Sequence, residues 1–332
     1  MSDLIRIDGS YGEGGGQVLR TSLSLSAITG RPIEIVNIRG GRPKPGLQPQ
    51  HLAAVRAAAQ ICGASLKGDA LGSLYLLFDP HSLPAPGEYR FDIGTAGATT
   101  LVAQTVMVPL GLAPQSSAVT VTGGTHNPLA PTADYLEHVY AATSREIGYS
   151  FRTAYGPPGF FPKGGGELRI EIESSQIRRP ILFDERDPSG LQAHIVTCSL
   201  PAKVSKRAED VLREGMDVRV VARVEEGVSI GAAVTITSAH AGFTALGARG
   251  KPMERVTQEA ISDAVSWLEG NASVDEHLAD QLVLPALFAG GENRWSTPRV
   301  TEHLRTVIWV AKHFLDFEAS IDDETGRVVL RS

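Results

Sequence analysis

The feature that most constrains this chain is a repeated pattern of a turn, an amphipathic helix and a short link into a strand. The pattern occurs in LQPQHLAAVRAAAQICGA from Leu47, in APTADYLEHVYAATSREIGY from Ala130 and in STPRVTEHLRTVIWVAKHFLD from Ser296. Another helix-like stretch precedes each of these segments, and alternating strand candidates complete them. Because repeated units stack to share a core, the sequence predicts three copies of a unit with two helices and a small sheet.

The third copy is predicted to be split by an insertion. The first two copies span about 4–77 and 89–155, whereas the third has a first strand near 168–172 and helices only after residue 271. The intervening segment has strand and helix candidates of its own, and exposed loops tolerate such insertions. We therefore predict an α/β (α+β) fold with a three-unit core at 1–182 and 274–332, and an inserted α/β domain at 183–273.

The composition narrows the class of protein. With 332 residues, 42% hydrophobic and 20% charged, the chain can bury a large core. Its net charge of -6 argues against coating of DNA or RNA through the overall charge, but allows binding of one strand end. Cys62 and Cys198 have no partner at metal or redox spacing, so both are predicted to be buried and unpaired. Neither a signal region nor an apolar stretch of about 20 residues is seen, which makes the cytoplasm the expected location.

Two glycine runs, in GSYGEGGGQVLR and GFFPKGGGELRI, are predicted to occupy similar places at the start of the first and third units. Glycine there would serve a turn or a close backbone approach, but Glu13 in the first run has no counterpart, since Lys163 stands in the second. A dinucleotide-binding fingerprint is disfavoured by Gln17, and a P-loop by Pro252. Glycine-rich backbone at a helix start remains suited to binding an anion.

Two histidines take equivalent places in different units. Aligning QHLAAVRAAA with EHLRTVIWVA superposes His51 on His303. Each lies in the first turn of a predicted helix, where the helix dipole disfavours a proton and favours a neutral, nucleophilic imidazole. The alternative is that each histidine only caps or packs its helix.

Polar residues surround these positions in the sequence, and they would converge if the units pack around a common centre. Guanidinium groups would then bind an anionic substrate and a carboxylate would bind a divalent metal ion, although an arginine alone is more often a solvated surface residue than a ligand. His126 lies in a loop before the second helix of its unit. The remaining histidines are interpreted as ordinary surface or core residues: His81, His138, His194, His240 and His313.

Six ordered motifs together resemble the RNA 3'-terminal phosphate cyclase family: DGSYGEGGGQVLR, RPKPGLQPQHL, GTAGATTLVAQT, GFFPKGGGEL, ADQLVLP and EHL. The resemblance runs along essentially the whole chain. It implies three units of two helices on a four-stranded sheet, similar to enolpyruvyl transferases, with an insertion in the third. It also implies an AMP-forming ligase that uses ATP and a divalent metal ion to convert an RNA 3'-phosphate into a 2',3'-cyclic phosphodiester, through a histidine-AMP intermediate.

The resemblance assigns expected roles to individual residues. His303 matches the nucleophile, and Glu13 matches the glutamate associated with Mg²⁺ or Mn²⁺. The segments expected to bind the nucleotide are Gln104 and the run His277, Leu278, Ala279, Asp280 and Gln281. The positions expected to line the site for phosphates are Arg20, Arg39, Arg42, Gln50 and His51.

The chain departs from the family pattern at two positions, and alternatives remain. His277 stands where relatives often have tyrosine, and His126 where aspartate is common, so the effect of both on the nucleotide is open. One competing hypothesis is a non-catalytic RNA-binding assembly factor on the same fold, whose expected mark is loss of the histidine nucleophile. Another is an enolpyruvyl transferase, which ADQLVLP and EHL disfavour. The RNA substrate, the choice of nucleotide, the role of the insertion and the oligomeric state are not predicted.

Overall fold

The computed structural model describes residues 4–175, 177 and 179–332, and its first unit has the order strand, helix, strand, helix, strand, strand. The sheet order is β1-β2-β4-β3, in which β1 and β2 are parallel and the other neighbours antiparallel. The alternating burial of the strands places their apolar side chains under the helices. The elements are β1 (Ile5–Asp8), α1 (Gly16–Thr29), β2 (Ile33–Val36), α2 (Pro49–Cys62), β3 (Ser65–Lys67) and β4 (Leu76–Asp79).

The second unit repeats this topology, with a sheet in the order β5-β6-β8-β7 and the same parallel first pair. Its second helix is interrupted by a single π-helical turn, a feature that is frequent at functional sites. The elements are β5 (Glu88–Asp92), α3 (Thr99–Gly111), β6 (Ser117–Gly123), α4 (Ala133–Tyr135), the π-turn (Leu136–Tyr140), α5 (Ala141–Glu146), β7 (Phe151–Tyr155) and β8 (Gly166–Ile172).

The assignment of the strand at 168–172 to the third unit was wrong. This strand is β8, which pairs with β6 and β7, for example with Thr120 opposite Arg169. The proposed equivalence of the glycine runs fails with it, because the first run precedes helix α1 and the second precedes strand β8. The error has a physical cause: a strand's partners are chosen by tertiary packing, and a glycine run alone does not identify the element that follows it.

The segment after β8 forms a separate sheet in the order β10-β9-β11-β12. Helices pack on this sheet and enclose an apolar cluster that includes Ile195, Leu212, Val234 and Val256. Its boundaries as a folding domain, 183–273, stay a prediction. The elements are β9 (Gln192–Cys198), α6 (Ala202–Gly215), β10 (Arg219–Glu225), β11 (Gly231–Thr237), β12 (Gly242–Leu246) and α7 (Met253–Glu269).

The third unit resumes after this segment with α8 (Leu278–Gln281), α9 (Val283–Ala289), β13 (Glu292–Ser296), α10 (Glu302–Ala311), β14 (Glu318–Ile321) and β15 (Arg327–Arg331). The sheet order is β13-β15-β14. A segment that precedes the insertion in the chain lies along the β13 edge of this sheet, since Leu182 forms a parallel bridge with Arg294. The backbone N of Arg294 donates to the oxygen of Ile181 at 2.7 Å. The insertion therefore separates this edge segment of the sheet from the first helix of the unit.

Small residues let the helices of different units approach closely. Ala54, Ala57 and Ala58 of α2 are fully buried. In α1, the buried Ser24 donates its hydroxyl to the backbone oxygen of Thr105 in α3 at 2.7 Å. The mixed α/β fold class is confirmed. Among the described residues, no helix has the length and apolarity that crossing a membrane requires.

Candidate functional site

A cavity of about 1170 Å³ lies where elements of all three units meet the inserted segment. It is large compared with the roughly 300–1,000 Å³ of ligand pockets. Most of the predicted site residues line it, although they come from five separate stretches of the chain. They are Glu13, Arg20, Arg39, Arg42, Gln50, His51, Gln104, His277, Asp280, Gln281 and His303.

His303 lies in the first turn of α10 and its side chain is 42% exposed. Thr301 caps this helix by accepting the backbone N–H of Leu304 at 3.2 Å, so the cap does not use the imidazole. Burial lowers the pKa of His303, the positive charges of Arg20 and Arg42 lower it further, and Glu13 opposes them. At neutral pH the ring is therefore uncharged and carries a nitrogen lone pair.

The glutamate in the glycine turn contacts two site residues. Glu13 Oε2 lies 3.4 Å from His303 Nε2 and accepts from Arg42 Nη2 at 2.6 Å. Gly14 has a φ of +54°, and a Cβ there would lie 2.6 Å from the backbone N of Gly41. Glycine is thus required because two loops touch, and this contact brings Glu13 to Arg42.

A half-buried cation, Arg20, and a half-buried carboxyl group, Asp280, both line the cavity and interact through their charges. Burial lowers the pKa of Arg20 to about 10, which leaves it charged at pH 7, and Asp280 opposes the shift. Burial raises the pKa of Asp280 to about 7, against the effects of His277 and Arg20. Arg20 also donates to Gln17 Oε1 at 2.6 Å, which fixes its position. The cavity therefore offers a fixed positive charge and a carboxyl group that titrates near neutrality.

His51 occupies the corresponding place in the first unit but is only 5% exposed. Its Nδ1 accepts the backbone N–H of Gln48 at 3.2 Å in a capping box. Burial lowers its pKa to about 3, helped by the charges of Arg20 and Arg39. Because Nδ1 is an acceptor in a neutral ring, the proton is on Nε2. His51 is thus a hydrogen-bond donor, and its free lone pair is already used.

The predicted nucleotide-binding residues meet across two units. Gln104 Nε2 in α3 donates to Gln281 Oε1 at 2.7 Å, and Gln281 Nε2 donates to the oxygen of His277 at 2.8 Å. Leu278 and Ala279 are fully buried in the core. Residues 277, 280 and 281 share one face of the helical turn, while 278 and 279 point away. The side chains of Leu278 and Ala279 are therefore not part of the cavity wall, and a role of these two residues in nucleotide binding stays a prediction.

Arg39 and Gln50 are held by local contacts. Arg39, at a φ of +54°, donates to the backbone oxygens of Lys44 and Gly46. Gln50 Oε1 accepts from the backbone N of Ala98 at 3.0 Å, at the start of α3. Both line the cavity, but these hydrogen bonds serve mainly to shape its wall.

Sequence reasoning missed the wall that the inserted segment contributes. Thr244 and Leu246 near β12 and Glu259 and Asp263 of α7 all line the cavity. Burial, together with the charges of Glu259 and Glu276, raises the pKa of Asp263. No motif marks these residues, because only the packing of the insertion against the core brings them to the site.

A second polar cluster was also missed, outside the cavity. His138 and His194, interpreted as ordinary residues, meet Asp134, and one ligand atom from each lies within 4.8 Å of the others. Asp134 and His138 are four residues apart, a spacing that places ligands on one helix face. His194 is too far along the chain for any spacing rule to detect.

The donor set of the cavity suits a nucleoside triphosphate and a hard divalent cation. Guanidinium groups bind phosphate oxygens, and Mg²⁺ and Mn²⁺ prefer carboxylate oxygen ligands. Glu13 offers such a carboxylate, 39% exposed, beside His303 and Arg42. The residues present therefore fit both groups.

Comparisons with known proteins agree with this chemistry. A family model described as RNA 3'-terminal phosphate cyclase matches residues 11–321. The chain is 43% identical over 327 residues to a protein of that name from Nostoc punctiforme, covering 94% of each chain. It is 38% identical over 328 residues to one from Methanosarcina barkeri, covering 97% of this chain and 98% of the relative. A structural alignment with the enolpyruvyl transferase NikO from Streptomyces tendae covers 100% of this chain and 82% of that chain, at 11% identity and a TM-score of 0.27.

Proposed function

Because the chain belongs to the RNA 3'-terminal phosphate cyclase family, we propose that it uses ATP to convert the 3'-terminal phosphate of an RNA into a 2',3'-cyclic phosphodiester. One observation carries the proposal: a neutral, half-exposed His303 faces the cavity, with its Nε2 3.4 Å from the Glu13 carboxylate that Arg42 also contacts. Such a group is a nucleophile aimed at a site that binds phosphates.

The proposed reaction has three steps. The lone pair of His303 attacks the α-phosphorus of ATP, a nitrogen–phosphorus bond forms, and pyrophosphate leaves. An oxygen of the RNA 3'-phosphate then attacks the same phosphorus and displaces the histidine, giving RNA joined to AMP through a pyrophosphate linkage. The 2'-hydroxyl finally attacks the terminal RNA phosphorus, loses its proton, and releases AMP as the ring closes. Covalent catalysis thus replaces one difficult substitution by easier steps.

The cations of the cavity have a supporting role in this proposal. Arg20 and Arg42 neutralise the charge that develops on phosphate oxygens, and Nε2–H of His51 donates to one of them. Gln104, His277 and Gln281 contact the nucleoside, while Arg39 and Gln50 shape the wall. Leu278 and Ala279 contribute only by supporting the helix that carries Asp280.

A divalent metal ion fits the proposal at Glu13, where it would neutralise phosphate charge and favour the departure of pyrophosphate. Glu13 itself also orients His303 and Arg42, since both contact the same carboxylate oxygen. The exposed Glu302 and the half-buried Glu276 also line the cavity. They provide further oxygen atoms but have no assigned role in the reaction.

The test is incubation with Mg²⁺ and ATP labelled at the α-phosphate, followed by denaturing separation. We expect an acid-labile label on the parent and on His51→Gln, and none on His303→Ala. Addition of RNA with a 3'-phosphate, but not a 3'-hydroxyl, should discharge the label and yield a cyclic end. An unlabelled parent that still binds RNA would overturn the proposal in favour of a non-catalytic RNA-binding relative.

A further inference from the structure

A cluster of three metal-ligand side chains joins the second unit to the inserted segment, outside the cavity. Asp134 is in α4, His138 is in the π-turn that follows, and His194 is in β9 of the insertion. Their candidate ligand atoms all lie within 4.8 Å of one another. Asp134 and His194 are 1% and 6% exposed, and His138 is half-buried. Ionisable side chains are rarely buried together without a bound ion or another polar partner.

The two histidines are uncharged. Their rings stack with centroids 3.9 Å apart and an angle of 8° between their planes. Burial lowers the pKa of His194 to about 4, with a further contribution from His138. Burial also lowers the pKa of His138, against the charges of Asp134 and Glu137. Both rings therefore carry an available lone pair at neutral pH, as metal ligands must.

One ring nitrogen lacks the partner that burial normally demands. His194 Nε2 is buried and has no hydrogen-bond partner among the described residues. Buried side-chain polar atoms in proteins are bonded in the large majority of cases, and leaving one unsatisfied costs about 1–3 kcal/mol. This nitrogen is therefore a second, independent indication that the cluster binds something.

Asp134 is an ionised ligand with a fixed orientation. Burial opposes its ionisation, but the hydrogen bond and charge of His126, with the charges of Arg223 and His194, lower its pKa below the usual value. Its Oδ2 contacts His126 Nε2 at 2.7 Å, and His126 Nδ1 contacts Thr125 Oγ1 at 2.8 Å. Such a chain of outer contacts orients the ligand carboxylates and histidines of metal sites.

We propose that Asp134, His138 and His194 form a binding site for a divalent transition metal ion of the zinc class. Two imidazoles and a carboxylate suit zinc and its neighbours, whereas Mg²⁺ and Ca²⁺ prefer an all-oxygen set. A solvent molecule completes a four-coordinate ion. Bonds of about 2.0–2.1 Å place tetrahedral ligands about 3.3 Å apart, so binding turns the stacked rings and draws them inward. The π-turn gives His138 the backbone freedom for this adjustment.

Arg223 is the competitor for the ion. Its Nη2 lies 3.0 Å from Asp134 Oδ1, and its side chain is 25% exposed. A guanidinium on that oxygen disfavours a metal ion through charge, so in this proposal the ion displaces it from Asp134. In this proposal Asp134 binds either the arginine or the metal ion. Arg223 links the second unit to β10 of the insertion, and the metal ion links it to β9 through His194.

Metal binding would restrict the motion of a chain of hydrogen-bonded residues that leads from Asp134 to the cavity. Tyr135, next to Asp134, donates its hydroxyl to Asp275 at 2.8 Å. Asp275 accepts the backbone N–H groups of His277 and Leu278 at the start of α8, and that of Gly242 in β12. Pinning Asp134 therefore holds both α8 and the insertion wall in position, without a metal contact to the substrate.

The test measures metal binding by the full-length protein, stripped with a chelator and titrated with Zn²⁺ in excess Mg²⁺, which occupies oxygen-only sites. We expect one tightly bound zinc in the parent and in Glu13→Gln, and in the exposed-site control His81→Asn. His194→Asn and His138→Asn should each weaken zinc binding by more than the about 10–100-fold expected for the outer residue His126→Asn. Circular dichroism of each variant confirms folding.

Two further measurements do not depend on variants that remove a ligand. In the cobalt-loaded parent, X-ray absorption should count two imidazole ligands, and Arg223→Gln should bind zinc about 10-fold more tightly because the competing charge is gone. The proposal is overturned if the parent retains no zinc in excess Mg²⁺. It is equally overturned if both histidine variants bind zinc like the parent, or if the cobalt centre has only oxygen ligands.

Discussion

The first and third units each place a histidine in the first turn of the corresponding helix, yet the two residues differ in exposure and in hydrogen bonding. His51 is nearly buried and its Nδ1 is used by the backbone N–H of Gln48. His303 is 42% exposed and its Nε2 faces Glu13. Both rings are neutral, because burial lowers the pKa of each. A shared fold and a shared protonation state therefore do not give a shared chemical role.

The capping residue makes the difference. In the first unit Gln48 caps α2 and His51 is the third helical residue, which lets its ring return the hydrogen bond to the cap. In the third unit Thr301 caps α10 and His303 is the second helical residue. The threonine hydroxyl accepts the N–H of Leu304, so this cap does not use the imidazole. One residue of offset in the start of a helix thus separates a structural imidazole from one that is available for chemistry.

The test with the largest expected effect compares replacement of His303 with replacement of His51. We expect His303→Ala to reduce covalent labelling by α-labelled ATP by about 10⁴-fold or more, as loss of a nucleophile does. His51→Gln keeps a donor at the cavity and should retain labelling. The measurement is the initial rate of label incorporation. Labelling that survives in His303→Ala and disappears in His51→Gln would reverse the comparison.

The next test removes the charge beside His303 and keeps the shape. Glu13→Gln should slow labelling by about 10–100-fold, since a positioned charge is lost from the site. Glu13 raises the pKa of His303, so its removal lowers that pKa further and leaves the ring neutral at more acidic pH. The acid limb of the pH–rate profile should therefore move to lower pH, which no purely structural loss would cause. A limb that stays in place contradicts the coupling.

Replacing the buried His51 should change the stability of the protein instead of the rate of labelling. The His51 pKa of about 3 in the folded protein lies below the 6.5 of an unburied histidine. Its contribution is complete above pH 6.5 and is lost as the pH falls toward 3, because the unfolded chain binds the proton. In His51→Gln the slope of unfolding free energy against pH should drop by about 1.4 kcal/mol per pH unit in that window. Denaturant unfolding at several pH values measures it, and an unchanged slope would count against the buried neutral ring.

The smallest expected effect concerns the cap itself. Thr301→Ala removes the side chain that accepts the Leu304 N–H, and should destabilise the protein by about 1 kcal/mol. Thr301→Ser keeps the hydroxyl and is the matched control. Thermal unfolding of the two variants provides the measurement. Equal destabilisation by alanine and serine would show that the methyl group, not the cap, matters.

Local periodicity predicted much of the fold, because helices and their starts are encoded within short windows. It failed at β8, where pairing with β6 depends on the packing of distant segments. Ordered motifs predicted the residues around His303. The difference in exposure between His51 and His303 was not predicted, because it depends on where each helix begins relative to its histidine: Gln48 lies within the motif RPKPGLQPQHL, but Thr301 lies outside EHL. Glu259 and Asp263 reach the cavity only through docking of the insertion, and His194 reaches Asp134 in the same way. Such contacts have no local sequence pattern.

The position of the insertion also sets an order of assembly during synthesis. Ile181 donates its backbone N–H to Asn293 Oδ1 although 112 positions separate the two residues. At about 5–20 residues per second, the edge strand emerges roughly 6–22 s before its partner. During that interval the inserted segment, which encloses a core of its own, has time to collapse and bring the two ends closer. A nascent chain stalled within this interval would display an unpaired strand edge, the kind of surface that chaperones recognise and that aggregates when they are absent.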